Sequence, residues 1–225
     1  MKAMILAAGR GERMRPLTNS VPKPLLKAND KYLILNTICG LRQAGIVDLV
    51  VNVSHLAEQI RQALGDGSRW GVRITYSFER AALETAGGIA WALPLLDAQP
   101  FVVVNSDVYS DYDFAGLKTR AETLTPQQPA HLVLVDNPAH HPEGDFSLRD
   151  CVVGMAGARL TFSGIGAYHP ALFAGIARGE KFRLAALLAQ PIAAGGVTGE
   201  HFHGEWHDIG TPQRLAELDA RLRAL

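Results

Sequence analysis

Three short stretches constrain the fold more than anything else in the chain. Met4–Ala8, Asp48–Val53 and Phe101–Asn105 are apolar at nearly every position. Each is too short for a buried helix and lacks the alternation of a half-exposed strand, so each predicts a strand covered on both faces. Helical spacing fills the gaps. Leu33–Ala44 repeats apolar residues every three or four positions and is closed by Gly45, and His55–Leu64 follows Ser54 as a candidate cap. Val72–Ser77 alternates as a further strand, and Gly87–Leu96 reads as a helix stopped near Pro94. Strand and helix in repeated succession predict a three-layer, Rossmann-like α/β fold, a mainly parallel sheet with helices on both faces.

The second half changes character. Tyr112–Leu124 reads as a helix, His131–Val135 as a strand, and Asp136–Phe146 as a loop with Pro138, Pro142, Gly144 and the pair His140-His141. Phe146–Val153 and Arg159–Phe162 suggest a hairpin around Gly154–Gly157; Ile165–Tyr168 is a strand, Leu184–Ala194 a helix, and Glu205–Ile209 a short strand. Thr211-Pro212 then opens a last helix with a capping hydroxyl and a first-turn proline. This half is expected to form a mixed α+β lid over the carboxyl ends of the strands. With no long linker and no repeat, residues 1–225 are expected to form a single domain whose halves, 1–110 and 111–225, differ in character.

The loop after the first strand carries more charge than a turn needs. Gly9-Arg10-Gly11 leaves two positions without a side chain, and Arg13, Arg15 and Lys23 follow, with Pro16, Pro22 and Pro24 stiffening the loop. Backbone N–H groups freed by glycine can approach an anion, and the cations can neutralise phosphate, arginine as a fork and lysine as a point charge. The dinucleotide fingerprint would need glycine where Met14 stands, and the Gly-Lys-Ser/Thr of a Walker loop is absent. Acidic and basic residues balance at 22 each, so a nucleic-acid surface is not expected and any anion site must come from local placement of charge. No stretch has the length of a membrane span. Two cysteines, Cys39 and Cys151, make no framework; both are expected to be reduced thiols, and with no leader at the N-terminus the expected location is cytoplasmic.

Leu6–Met14 (L-A-A-G-x-G-x-R-M) with Pro22-Lys23-Pro24 resembles the opening of the sugar-1-phosphate nucleotidylyltransferases. The segments LETAGGI (83–89), NSDVYSDYDF (105–114), LVDNPAHHPEGDF (134–146) and WHDIGT (206–211) resemble the members that act on N-acetylmuramic acid 1-phosphate, and the likeness spans essentially the whole chain. It implies a fold of the nucleotide-diphospho-sugar transferase type, with 1–110 mainly the nucleotide-binding half and 111–225 mainly the sugar-binding lid with the last helix. It also implies transfer of UMP from UTP to the sugar 1-phosphate with Mg2+ as cofactor, in cell-wall recycling. Partners would be those two substrates only, with a monomer as the working state. Two alternatives stay open: the same chemistry on another sugar and base, or a non-catalytic nucleotide-sugar-binding regulator.

The residues give these roles a physical basis. Asp107, after the strand Phe101–Asn105, and Asp208, before Gly210, are carboxylates at strand ends; alone each could be a turn residue, while as a pair they suit Mg2+. The resemblance maps both onto metal aspartates, with Ser106 where glycine is usual. Lys23, Arg15 and Asp107 are expected to be catalytic, with Arg15 on the departing phosphates and Lys23 over the α-phosphate; Arg13 could instead be a structural tie. Ala8, Gly9, Gly11, Arg13, Glu79, Thr85, Gly87 and Asn105 are the nucleotide candidates. Glu79 resembles the base-reading position of relatives, where glutamine is common, or is simply a surface charge. Asn52, Glu143, Gly144, Asp145 and Ser163 are sugar-side candidates by resemblance in position, and Arg183, with Lys181 nearby, is the candidate cation for a lactyl carboxylate. His140 and His141 point to structure or sugar contact rather than zinc. Met14 and Trp206 are expected to pack.

Overall fold

The computed structural model describes residues 1–224. Its strands are β1 (Lys2–Leu6), β2 (Lys27–Ala28), β3 (Lys31–Tyr32), β4 (Asp48–Val53), β5 (Arg73–Phe78), β6 (Phe101–Asn105), β7 (Val108–Ser110), β8 (Ala130–Val135), β9 (Phe146–Arg149), β10 (Val152–Gly154), β11 (Arg159–Tyr168), β12 (Val197–His201) and β13 (Trp206–Asp208). Its α-helices are α1 (Leu33–Gln43), α2 (Ala57–Leu64), α3 (Glu84–Leu96), α4 (Phe114–Ala121), α5 (Leu184–Ala193) and α6 (Pro212–Arg223). Nine strands form one sheet in the order β5-β4-β1-β6-β11-β8-β12-β10-β9. The run β5-β4-β1-β6 is parallel, β11 is antiparallel to β6 and β8, and β12 is again parallel to β8. The second-half strands therefore continue the sheet rather than lying against it. The piece that stands apart is the two-stranded ribbon β7–β13.

Alternation along the strands explains the layers. Ala3 and Ile5 of β1, with Val102 and Val104 of β6, face a core shared with Ile34, Ile38 and Leu41 of α1 and Phe114 and Leu117 of α4. Met4 and Val103 turn to the opposite core, against Ala86, Ile89 and Ala92 of α3 and Leu188 of α5. A third cluster joins Met14 to Leu26, Ile209 and Leu218, clamping the loop after β1 to β13 and α6. That clamp brings the chain's first charged loop and its last ribbon together.

Several local readings need correction. Ser54 does not cap α2: the helix begins at Ala57 after Leu56, which is held at φ 53° with no side-chain cap. Pro94 lies inside α3, which starts earlier, at Glu84, and runs to Leu96. Phe146-Ser147 and Arg159-Leu160 do pair antiparallel, but the tight hairpin turn falls between β9 and β10 at Asp150-Cys151, both at positive φ. Arg159–Phe162 and Ile165–Tyr168 belong to one strand, β11, whose register shifts between Phe162 and Gly166. Asp113 caps α4 by accepting from the Ala115 N–H, and Thr211 caps α6 by accepting from the Arg214 N–H.

Candidate active site

The chain runs β1→β4→β5 to one side of the sheet and then returns to place β6 on the other side of β1. Ligands of open α/β sheets bind where that reversal opens a crevice beyond the carboxyl ends of the strands. A cleft of about 550 Å³ lies there, lined by Leu6–Met14 after β1, Asn52 of β4, Glu79 and Ala82–Thr85 after β5, Asn105–Asp107 after β6, Lys23 and Gly210.

The first loop is built so that Lys23 faces this cleft. Gly11 sits at φ +62° with its missing Cβ 2.9 Å from Thr18 Cγ2 and 3.3 Å from Lys23 Cβ, so a side chain there would push the lysine away. Thr18 Oγ1 donates to the Gly11 carbonyl at 2.8 Å, closing the loop on itself. Space above Gly9 is open. Lys23 Nζ donates to Asp107 Oδ2 across the cleft, an ion pair in which the lysine side chain is 13% exposed and the aspartate 24%. Charge of opposite sign is thus concentrated between the loop after β1 and the end of β6, half-shielded from water, where electrostatic effects are stronger than at the surface.

Asp208 stands next to Asp107 across the β7–β13 ribbon, which pairs Asp208 with Val108, while Ile209 N–H donates to the Asp107 carbonyl at 2.9 Å. Its carboxylate opens on an adjoining cavity of about 290 Å³ with Arg214 and His140 rather than on the main cleft. Asp208 Oδ1 accepts from Arg214 Nη1 at 2.5 Å and lies 3.0 Å from His140 Nε2. Among the described residues neither Asp208 Oδ2 nor Asp107 Oδ1 has a protein hydrogen-bond partner. Each carboxylate therefore keeps one oxygen without a protein partner, the kind of hard donor a divalent cation takes.

Of the expected nucleotide-side residues, Ala8, Gly9, Gly11, Arg13, Glu79, Thr85 and Asn105 line the cleft with Lys23 and Asp107. Arg15 does not: it is exposed just after a short 3₁₀ turn, so of the two arginines flanking that turn Arg13, ranked below it, lines the cleft, as Arg10 does. Gly87 also lies outside. A Cβ there would come within 2.2 Å of the Glu180 carbonyl, so its smallness serves packing of α3 against the segment before α5.

Asn52 lines the cleft and is held by the protein at both ends of its amide. Its Oδ1 accepts from Ala7 N–H at 2.7 Å and its Nδ2 donates to Glu79 Oε1 at 2.6 Å. Glu79 Oε2 accepts from Leu83 N–H at 3.1 Å, so one buried chain of hydrogen bonds links β1, β4, β5 and the start of α3. Gly88 makes room for it, its missing Cβ lying 2.7 Å from Glu79 Oε1. Burial raises the Glu79 carboxyl above its ordinary value, against the opposing pull of the Asn52 and Leu83 donors. Nothing in the sequence pairs position 52 with 79; the link appears only in three dimensions.

The other sugar-side candidates do not converge on the cleft. Ser163 is 1% exposed inside the β11 irregularity, donating to the Val133 carbonyl at 2.7 Å and accepting from Ile165 N–H. Gly144, at φ +61°, is a turn residue pressed against Asn137 and the Leu160 carbonyl. Asp145 accepts from Phe162 N–H at 2.8 Å and pairs with His141, while Glu143 is exposed. Arg183 precedes α5, exposed. The two histidines do diverge, His140 to Asp208 and His141 to Asp145. Met14 is fully buried, and Trp206 packs while its Nε1 donates to the Ser163 carbonyl. Sequence reasoning missed Arg214 and Gly210: a Cβ on Gly210 would lie 2.4 Å from Arg214 Nη2 and 3.3 Å from Arg13 Nη2, so this glycine lets two arginines meet beside Asp208.

The family model described as Nucleotidyl transferase matches residues 2–144, which include the cation-bearing loop, the end of β6 and most of the cleft wall, and the chain belongs to that family. Among individual relatives, the N-acetylmuramate alpha-1-phosphate uridylyltransferase of Neisseria meningitidis serogroup B is 52% identical over 227 residues, covering 98% of this chain and 97% of that one. The mannose-1-phosphate guanyltransferase of Schizosaccharomyces pombe is 43% identical over 120 residues, 52% of this chain and 33% of that one. A Bacillus anthracis protein crystallised with sucrose shares the fold with a TM-score of 0.88 at 21% identity, over 100% of this chain and 96% of that chain.

Proposed function

We propose that this protein transfers UMP from UTP to N-acetylmuramic acid 1-phosphate, giving UDP-N-acetylmuramic acid and pyrophosphate, in the cytoplasmic recycling of cell-wall sugar. The observation that carries the chemistry is the Lys23–Asp107 pair, which joins the loop after β1 to the carboxyl end of β6. The choice of sugar and base rests on a 52% identity that runs the length of both chains, where a guanyltransferase match of similar reach along this chain is 30% identical and covers 62% of that relative.

In the reaction a phosphate oxygen of the sugar 1-phosphate forms a bond to the α-phosphorus of UTP. The bond from that phosphorus to the β-phosphate bridging oxygen breaks, and pyrophosphate departs with the electron pair. The nucleophile is already an anion, so the protein need not supply a general base; it must position two anions and offset their repulsion. Lys23 would leave Asp107 for the α-phosphate, and Arg13, on the cleft wall, is placed to receive the departing phosphates in the role first expected of Arg15. Backbone at Ala8–Gly11 lies beside the phosphates, and Thr85 with the start of α3 faces the ribose and base. Glu79 holds that helix start through Leu83 and retains lone pairs for the base edge. The family generally works with a divalent cation; here Asp107 and Asp208 would hold Mg2+, which supplies neutralisation of the two phosphates. Glu143, Asp145 and Arg183 remain candidates for the sugar only if the 136–145 loop and the segment before α5 move toward the cleft.

Pyrophosphate release measured with the four common triphosphates against a panel of sugar 1-phosphates tests this reading. UTP with N-acetylmuramic acid 1-phosphate should be turned over best. A preference for another pair would replace the substrate assignment, and release with none would leave a binding protein.

A further inference from the structure

Outside the cleft, one group of side chains has the make-up of a metal site. Asp136 follows β8, and His201 ends β12, its parallel neighbour. Phe202 N–H still donates to the Leu134 carbonyl at 2.8 Å, so the chain stays in the ladder one residue beyond β12. Phe202 turns inward, meeting the Tyr112 ring edge-on with centroids 5.1 Å apart, which throws His201 and His203 outward together. Their imidazole centroids lie 3.9 Å apart, and His201 Nε2 is 2.9 Å from Asp136 Oδ1. One donor atom from each of the three residues lies within 4.8 Å of the others. None of these residues lines the nucleotide cleft.

We propose that Asp136, His201 and His203 bind a transition-metal dication of the Zn2+ class, at a site separate from the catalytic cation. Two imidazoles and one carboxylate suit zinc, nickel or copper, whereas magnesium takes oxygen ligands almost exclusively. Three protein ligands leave a fourth position for water. The consequence is mechanical. Asp136 is the first residue of the 136–145 loop, and Asn137 already anchors that loop, donating to the carbonyls of Pro142 and Arg159 at 3.0 Å each. The same loop carries His140 to Asp208. A metal joining Asp136 to β12 fixes the root of the loop that touches the catalytic ribbon.

Untagged, chelator-stripped full-length protein titrated with Zn2+ tests the site, by equilibrium dialysis with elemental analysis. The parent should take up one tight equivalent at micromolar metal. His203→Ala and His201→Ala should lose it, with affinity falling by at least the ~10–100-fold that loss of an outer-sphere partner alone costs. Asp107→Asn should keep it. Because His203 is exposed, metal-free His203→Ala should melt with the parent, and added Zn2+ should raise the melting temperature of the parent only. The proposal is overturned if the parent binds no zinc at micromolar concentration, if both histidine variants retain the equivalent, or if Asp107→Asn loses it.

Discussion

Replacing Asn52 by alanine separates a buttress from a substrate contact. Asn52 is 4% exposed and both ends of its amide are used, by Ala7 N–H at 2.7 Å and Glu79 Oε1 at 2.6 Å. Alanine leaves a buried donor without an acceptor, at about 1–3 kcal/mol, and removes a hydrogen bond to a carboxylate, worth about 1.5–3 kcal/mol. The open cleft admits water to both groups, so the expected loss is about 2–4 kcal/mol. For a domain of this length that is roughly 5–15 °C in melting temperature. The broken links hold the loop after β1 and, through Glu79, the start of α3, so KM for UTP should rise while the ratio of rates between competing sugar 1-phosphates stays put. Asn52→Asp should be worse than alanine, because it sets a second carboxylate against Glu79. Thermal melts and steady-state kinetics on the three proteins suffice. An Asn52→Ala enzyme with parental stability and altered sugar preference would refute the buttress and restore the residue to the sugar side.

Three further outcomes follow from the same geometry. Lys23→Ala should lower the rate of pyrophosphate release by roughly 10²–10³-fold, the cost of one preorganised electrostatic donor, and a loss under tenfold would remove Lys23 from the reaction. Burial raises the Glu79 carboxyl above 4.5, so its favourable share of stability is present below that pH and fades as pH rises through the folded value; the stability penalty of Glu79→Gln, read from melts along a pH series, should therefore shrink toward neutrality, and a penalty that grows with pH would contradict the cause given. Gly164 stands at φ +78° with its missing Cβ 2.5 Å from Asn105 Nδ2; Gly164→Ala should displace Asn105 and weaken nucleotide binding in calorimetry, and unchanged affinity would show that Asn105 is not needed there.

The β4 and β6 strands could be read to the residue because their apolar runs leave no other solution, and α6 because Thr211-Pro212 carries its own start signal. The β12 strand could not: Val-Thr-Gly-Glu-His offers little burial of its own and is held by β8 and β10 on either side. The β7 strand, three residues between Asp107 and Asp111, reads as loop until β13 pairs with it. At the site, charge in the first loop was readable because a surface turn needs none. Which arginine enters the cleft was not, since a single 3₁₀ turn decides between Arg13 and Arg15. For Asn52 and Ser163 the sequence is silent for one reason: a polar residue near a strand end looks the same whether it meets ligand or backbone.

The account rests on Lys23 and Asp107 serving a transfer between two phosphates. Mass spectrometry of product formed from UTP and N-acetylmuramic acid 1-phosphate in the presence of Mg2+, by the parent and by Lys23→Ala at equal concentration, is the most direct measurement. The account predicts UDP-N-acetylmuramic acid from the parent and little from the variant in the same interval. Equal product from both, or none from the parent, would contradict it.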